Sequence, residues 1–85
     1  MSSSLPSMDA RAKDVRTSGD ELSVLLADGR RVSVPLAWFP RLLHATPAER
    51  ENWRLLGDGE GIHWPDLDED LSVAGLLEGP TSRRR

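Results

Sequence analysis

The chain has 85 residues, 38% of them hydrophobic and 29% charged, with a net charge of −3 and no cysteine. A chain this short holds one domain and buries only about 60% of the surface its unfolded form exposes, which excludes a large catalytic scaffold. The lack of cysteine excludes disulfide staples and thiolate metal sites, and no apolar run approaches the roughly 18 residues of a membrane-spanning helix, so a cytoplasmic protein is expected.

Residues 1–7 are rich in Ser and Pro without periodicity and lack the charged and apolar regions of a signal peptide. Residues 79–85, Gly-Pro-Thr-Ser-Arg-Arg-Arg, also lack periodicity, so two disordered tails are expected around a single domain over 8–78. Residues 10–15 alternate loosely and end at the turn-like Thr17-Ser-Gly-Asp20, which predicts a first strand. Residues 22–34 form the clearest local signal, two β-rich runs joined by Asp28-Gly29, and this dipeptide's tolerance of positive φ predicts a type I′ hairpin. Leu22, Val24 and Leu26 alternate in one run and Val32, Val34 and Leu36 in the next, so each strand turns one apolar face to a common core.

After Pro35 the period changes. Leu36, Phe39, Leu42 and Leu43 have helical spacing, with Pro40 limiting the helix. Thr46-Pro47-Ala48-Glu49 predicts a second helix over residues 47 to about 53, with Thr46 as N-cap, Pro at the first position and Glu49 reaching back to the cap. Leu55-Leu56 and Ile62-His63-Trp64 flank a glycine-rich stretch, a pattern of two short strands around a turn, and Pro65 closes the second. Leu71, Val73, Leu76 and Leu77 predict a last helical turn, with Asp70 or Ser72 as its cap and Gly79-Pro80 as its stop. The fold class is therefore α+β: an N-terminal antiparallel three-stranded meander, two short helices, one or two further short strands and a C-terminal short helix. Trp38, Trp53 and Trp64 are expected to supply the core's main bulk.

Candidate chemistry is sparse. Asp66-x-Asp68-x-Asp70 has the spacing of a calcium loop's first ligands, but Leu71 stands where that loop needs Gly and Leu77 where it needs an acid, so no metal is expected. His44 and His63 have no nucleophile, oxyanion loop or paired acid beside them in sequence, so no catalytic residue and no cofactor is assigned and the chain reads as a non-enzyme. Its enzymatic alternative is a small metal-dependent hydrolase using His63 with Asp66 and Asp68. Gly57-x-Gly59-x-Gly61 lacks the Lys-Ser/Thr and the helix of a phosphate loop. Residues 58–78 carry seven acids and no Lys or Arg, a field that repels a phosphate backbone, and the arginines scattered over 11–54 read as a solvated face.

Asp28-Gly29, Pro35-Leu-Ala-Trp-Phe-Pro-Arg-Leu42, Ala45-Thr-Pro-Ala-Glu-Arg50 and above all Gly61-Ile-His-Trp-Pro-Asp-Leu-Asp-Glu-Asp-Leu-Ser-Val73 resemble one pattern, that of the bacterial domain-of-unknown-function family 2442. The resemblance covers about residues 10–77. It implies a small α+β domain in bacterial cytoplasm without established enzymatic activity. It also implies a small protein partner encoded beside it, of family 4160, in an arrangement like that of a toxin and its antitoxin. Some relatives are fused to a helix-turn-helix domain, which this chain lacks.

The resulting expectation is a protein-interaction module whose partner is a basic protein. The partner-binding residues are expected to be Glu60, His63, Trp64, Asp66, Asp68, Glu69 and Asp70, because complementary fields speed encounter. A structural homodimer pairing through a sheet edge is the other alternative. No membrane partner is expected.

Overall fold

Among residues 10–79, the extent that the computed structural model describes, six strands form two antiparallel three-stranded sheets. Of the expected tails, 1–7 and 79–85, all but Gly79 lies outside the described residues, and Gly79 caps the last helix.

The first sheet is the expected meander, β1 (Ala12–Thr17), β2 (Glu21–Leu26) and β3 (Arg31–Pro35), in that spatial order. Its register sets Val15, Val24 and Val32 in one cross-strand row and Thr17, Leu22 and Val34 in the next. Alternation therefore delivers one apolar face, and Leu22, Val24 and Leu26 are wholly buried. The opposite face is polar, with the Ser23 and Ser33 hydroxyls 2.9 Å apart.

The β2–β3 turn corrects the type I′ expectation. The Leu26 N–H donates to the Arg30 carbonyl and the Gly29 N–H to the Leu26 carbonyl, so the loop has three residues, and positive φ falls on Gly29 (96°) without Asp28. A type I turn followed by a left-handed glycine has this form. Asp28 accepts from the Arg30 backbone N–H at 3.0 Å and from its guanidinium at 2.7 Å. The backbone bond is the larger of the two in holding the Asp28 carboxyl below its usual pKa.

A 3₁₀ turn (Leu36–Trp38) leads into α1 (Pro40–Leu43), followed by α2 (Pro47–Glu51). The α2 capping box is complete: Thr46 Oγ1 accepts from the Glu49 N–H at 3.1 Å, and Glu49 Oε1 accepts from the Thr46 N–H at 2.9 Å. Arg50 donates to carbonyls at the end of α1, to Leu42 at 2.8 Å, which also accepts from the Ala45 N–H, and to Leu43 at 2.7 Å, and reaches across to Ser18 at 3.3 Å.

The second sheet contains β4 (Arg54–Leu56), β5 (Gly61–Trp64) and β6 (Glu69–Ser72), in that order. Two of these strands match the predicted pair around the glycine-rich turn. β6 was not expected from the acidic run, where Glu69 and Asp70 are ladder residues opposite Trp64 and His63. Helix α3 (Val73–Glu78) is shorter than the leucine spacing suggested because Leu71 belongs to β6; Ser72 Oγ caps it by accepting from the Gly75 N–H at 3.0 Å.

Both sheets and the helices share one core, in which Trp64, Leu22, Leu26, Leu36, Leu42 and Ile62 are wholly buried. The Trp64 indole N–H donates to the Arg50 carbonyl at 2.9 Å, so the largest core side chain is also polar-satisfied. Trp53 packs half-buried against this core. Trp38 departs from expectation: it is 36% exposed, and its neighbour Phe39 takes the buried place. No helix among the described residues is long and apolar enough to cross a membrane.

Candidate functional site

Adjacent aromatics in a tight 3₁₀ turn cannot both face inward. Phe39 enters the core, and Trp38 stands outside it with its ring edge-on to Phe39, centroids 6.4 Å apart. Beside the indole, β6 and the start of α3 leave a groove of about 550 Å³, bordered by Trp38, Glu69, Leu71, Leu76, Glu78 and Gly79. Leu76 is buried beneath it, while Glu78 is exposed at its rim. The groove thus offers an exposed aromatic, an apolar floor and three carboxylates, those of Glu69, Asp70 and Glu78.

The seven-acid field is partly offset in three dimensions. Arg41, remote in sequence, donates to the Asp68 carbonyl at 2.7 Å and lies 3.9 Å from Glu69 Oε1. It anchors the turn before β6, where Asp68 adopts a positive φ of 53°. Asp66 accepts from the Asn52 side-chain amide at 3.0 Å. Asp66 and Asp68 are therefore held by the turn and do not converge on His63.

His63 Nδ1 contacts the Asp70 carboxylate across the β5–β6 ladder. Both lie on the outward face of the second sheet, in a cross-strand row with Arg54. The residues named for a metal-dependent hydrolase are thus divided between two places, and among the described residues no group of three or more His, Asp or Glu is arranged to hold a metal ion. Glu60 borders a shallower depression above Gly61, shared with Leu56, Asp70 and Ser72. Its carbonyl accepts from the Val73 N–H at 2.9 Å, tying the turn before β5 to the start of α3.

Of the residues expected to meet a partner, Glu69 and Asp70 border the groove, His63 lies on the outward sheet face and Glu60 in the turn before β5. Trp64 is buried at 0% exposure and presents no surface to a partner. Sequence reasoning missed Trp38, Leu76 and Glu78 as members of one groove. The detectable signal was the Trp38-Phe39 pair between two prolines, of which only one ring can serve a core this small.

No curated protein matches this chain. The fold is shared with two solved structures. A protein of unknown function from Rhodospirillum rubrum is 29% identical over 86% of this chain and 94% of its own, with a TM-score of 0.70. An uncharacterised protein from Chromobacterium violaceum is 26% identical over 80% of this chain and 64% of its own, with a TM-score of 0.67. A family model matches residues 12–82, nearly the whole described chain, and on that match the chain belongs to the family described as protein of unknown function, DUF2442.

Proposed function

We propose that the protein is a non-enzymatic interaction module of the cytoplasm that receives a basic segment of a partner protein in the groove between β6, α3 and the 3₁₀ turn. One observation carries this reading: a large indole stands exposed at the lip of a groove that also holds Glu69 and Glu78. An indole face attracts an arginine or lysine side chain by about 0.5–2 kcal/mol, and aromatic anchors dominate interface energies. The surrounding carboxylates add steering, which acts on the rate of encounter more than on affinity. Asp70 borders the groove and contacts His63, while Glu60, Asp66 and Asp68 extend the acidic field around it. A small basic protein encoded beside this one, in an antitoxin-like pairing, is the partner this chemistry fits.

The test is to recover the partner from native cytoplasm, identify it by mass spectrometry and titrate it purified against three forms of the protein. Relative to wild type, Trp38→Ala should weaken binding about tenfold or more while the protein remains folded. The double variant Glu69→Gln with Glu78→Gln should flatten the salt dependence of the association rate. Equal affinity and equal salt dependence in all three forms would overturn the assignment.

A further inference from the structure

We propose that β1 is a self-pairing edge: two copies of the chain join antiparallel along it, Val15 opposite Val15 of the second copy, and extend the first sheet to six strands. This inference is independent of the groove.

It begins from the direction of the backbone groups. The Ser18 N–H donates to the Glu21 carbonyl at 2.9 Å, so Ser18 sits in a hydrogen-bonded pair of the β1–β2 ladder. Bonded and non-bonded pairs alternate in an antiparallel ladder, which assigns Arg16 and Asp14 to bonds with β2 and turns the N–H and C=O of Val15 and Thr17 away from it. β2 agrees, because the Leu26 N–H bond to Arg30 commits its even-numbered residues to β3 and leaves Ser23 and Leu25 for β1, opposite Arg16 and Asp14. Among the described residues no backbone group accepts from or donates to Val15 or Thr17 on the outward side. Beside this edge a groove of about 570 Å³ runs along residues 14–17, with Arg50, Glu51 and Trp53 as its far wall. At the start of the strand the Ala12 N–H is already taken by the Gly59 carbonyl at 2.7 Å, which confines the open ladder to residues 14–17.

The side chains then select the occupant. Asp14, half-buried, and Arg16, exposed, share the polar face on either side of Val15, where they now pair with each other at 3.3 Å. A two-fold axis at Val15 sets Asp14 opposite the second copy's Arg16, and Arg16 opposite the second copy's Asp14, in the non-bonded positions where side chains approach closest. Moving the axis by one residue to Arg16 would set two arginines face to face, which destabilises a ladder. The strand is thus charge-complementary to itself in one register. The other three edges are blunted: β3 ends in Pro35, which has no N–H to give, β6 carries adjacent Glu69 and Asp70, and β4 has three residues.

Sedimentation velocity on the full chain between about 1 µM and 1 mM tests the proposal, spanning the range of small interfaces. Wild type should pass from monomer to dimer, and the amide proton of Val15 should gain exchange protection as it does. Asp14→Arg should raise the dissociation constant about tenfold or more, because it sets arginines opposite each other at both positions, and Arg16→Asp should do the same with carboxylates. The double exchange Asp14→Arg with Arg16→Asp should restore dimerisation. A wild type monomeric throughout, a dimer indifferent to both single reversals, or a double exchange that fails to recover would each overturn it.

Discussion

Gly29 and Gly59 hold nearly the same backbone angle, with φ of 96° and 98°, for different reasons. Gly29 sits at the tip of a hairpin, and a Cβ added there meets nothing within 4 Å. Gly59 lies against β1: a Cβ would fall 2.5 Å from the Ala12 carbonyl oxygen and 3.0 Å from its nitrogen, both backbone atoms that cannot swing aside. Alanine at Gly29 should therefore cost about 1–3 kcal/mol, the strain of a left-handed side chain alone. Alanine at Gly59 should cost clearly more and break the Ala12–Gly59 hydrogen bond. Urea midpoints of the two variants, with exchange of the Ala12 amide, check the order; equal losses would mean that the contact with β1 yields freely. The glycine-rich turn was legible from its composition. The need for glycine at its middle position was not, because it arises from a strand distant in sequence.

At the level of elements, legibility followed the locality of the cause. The α2 capping box was readable because all its partners lie within four consecutive residues. The length of the β2–β3 loop was also encoded, though less directly. A two-residue Asp28-Gly29 turn would place Val24 opposite Ser33 and point the apolar faces of the two strands in opposite directions, since paired residues share a face. Only an odd loop brings Val24 opposite Val32, as observed. β6 was hidden because Glu and Asp are poor strand formers, and what recruits them is pairing with β5. Arg50 was hidden for the same kind of reason: its three acceptor carbonyls, on Leu42, Leu43 and Ser18, converge only in the fold. Replacing it by lysine keeps the charge and loses the fork, so Arg50→Lys should destabilise by about 1–3 kcal/mol through lost donors to the Leu43 and Ser18 carbonyls, while Leu42 keeps the Ala45 N–H. Thermal unfolding of that variant beside Arg50→Met separates the two contributions. If lysine is as stable as wild type, charge near the end of α1 suffices and the fork is dispensable.

At the scale of the whole molecule, the two sheets have separate hydrogen-bond ladders but one core. Ile62 and Trp64 from the second sheet join the same buried cluster as Leu22, Val24 and Leu26 from the first. Trp64 bridges further, since its indole N–H is held by Arg50, whose guanidinium in turn holds α1 and the β1–β2 turn. Cooperativity should therefore be global: truncating Trp64 to alanine removes about 3–5 kcal/mol, of the order of the total stability of a small domain, and should unfold both sheets together. Trp38→Ala removes an indole of similar size that is 36% exposed, and should lower the melting temperature clearly less than Trp64→Ala does. Backbone amide spectra recorded along a urea titration distinguish the cases. Amides of β2 and of β5 should share one midpoint in the wild type and in Trp38→Ala, and both sets should collapse in Trp64→Ala. Were the β2 amides of Trp64→Ala to remain dispersed while those of β5 collapsed, the first sheet would stand without the second, and the single core would be two.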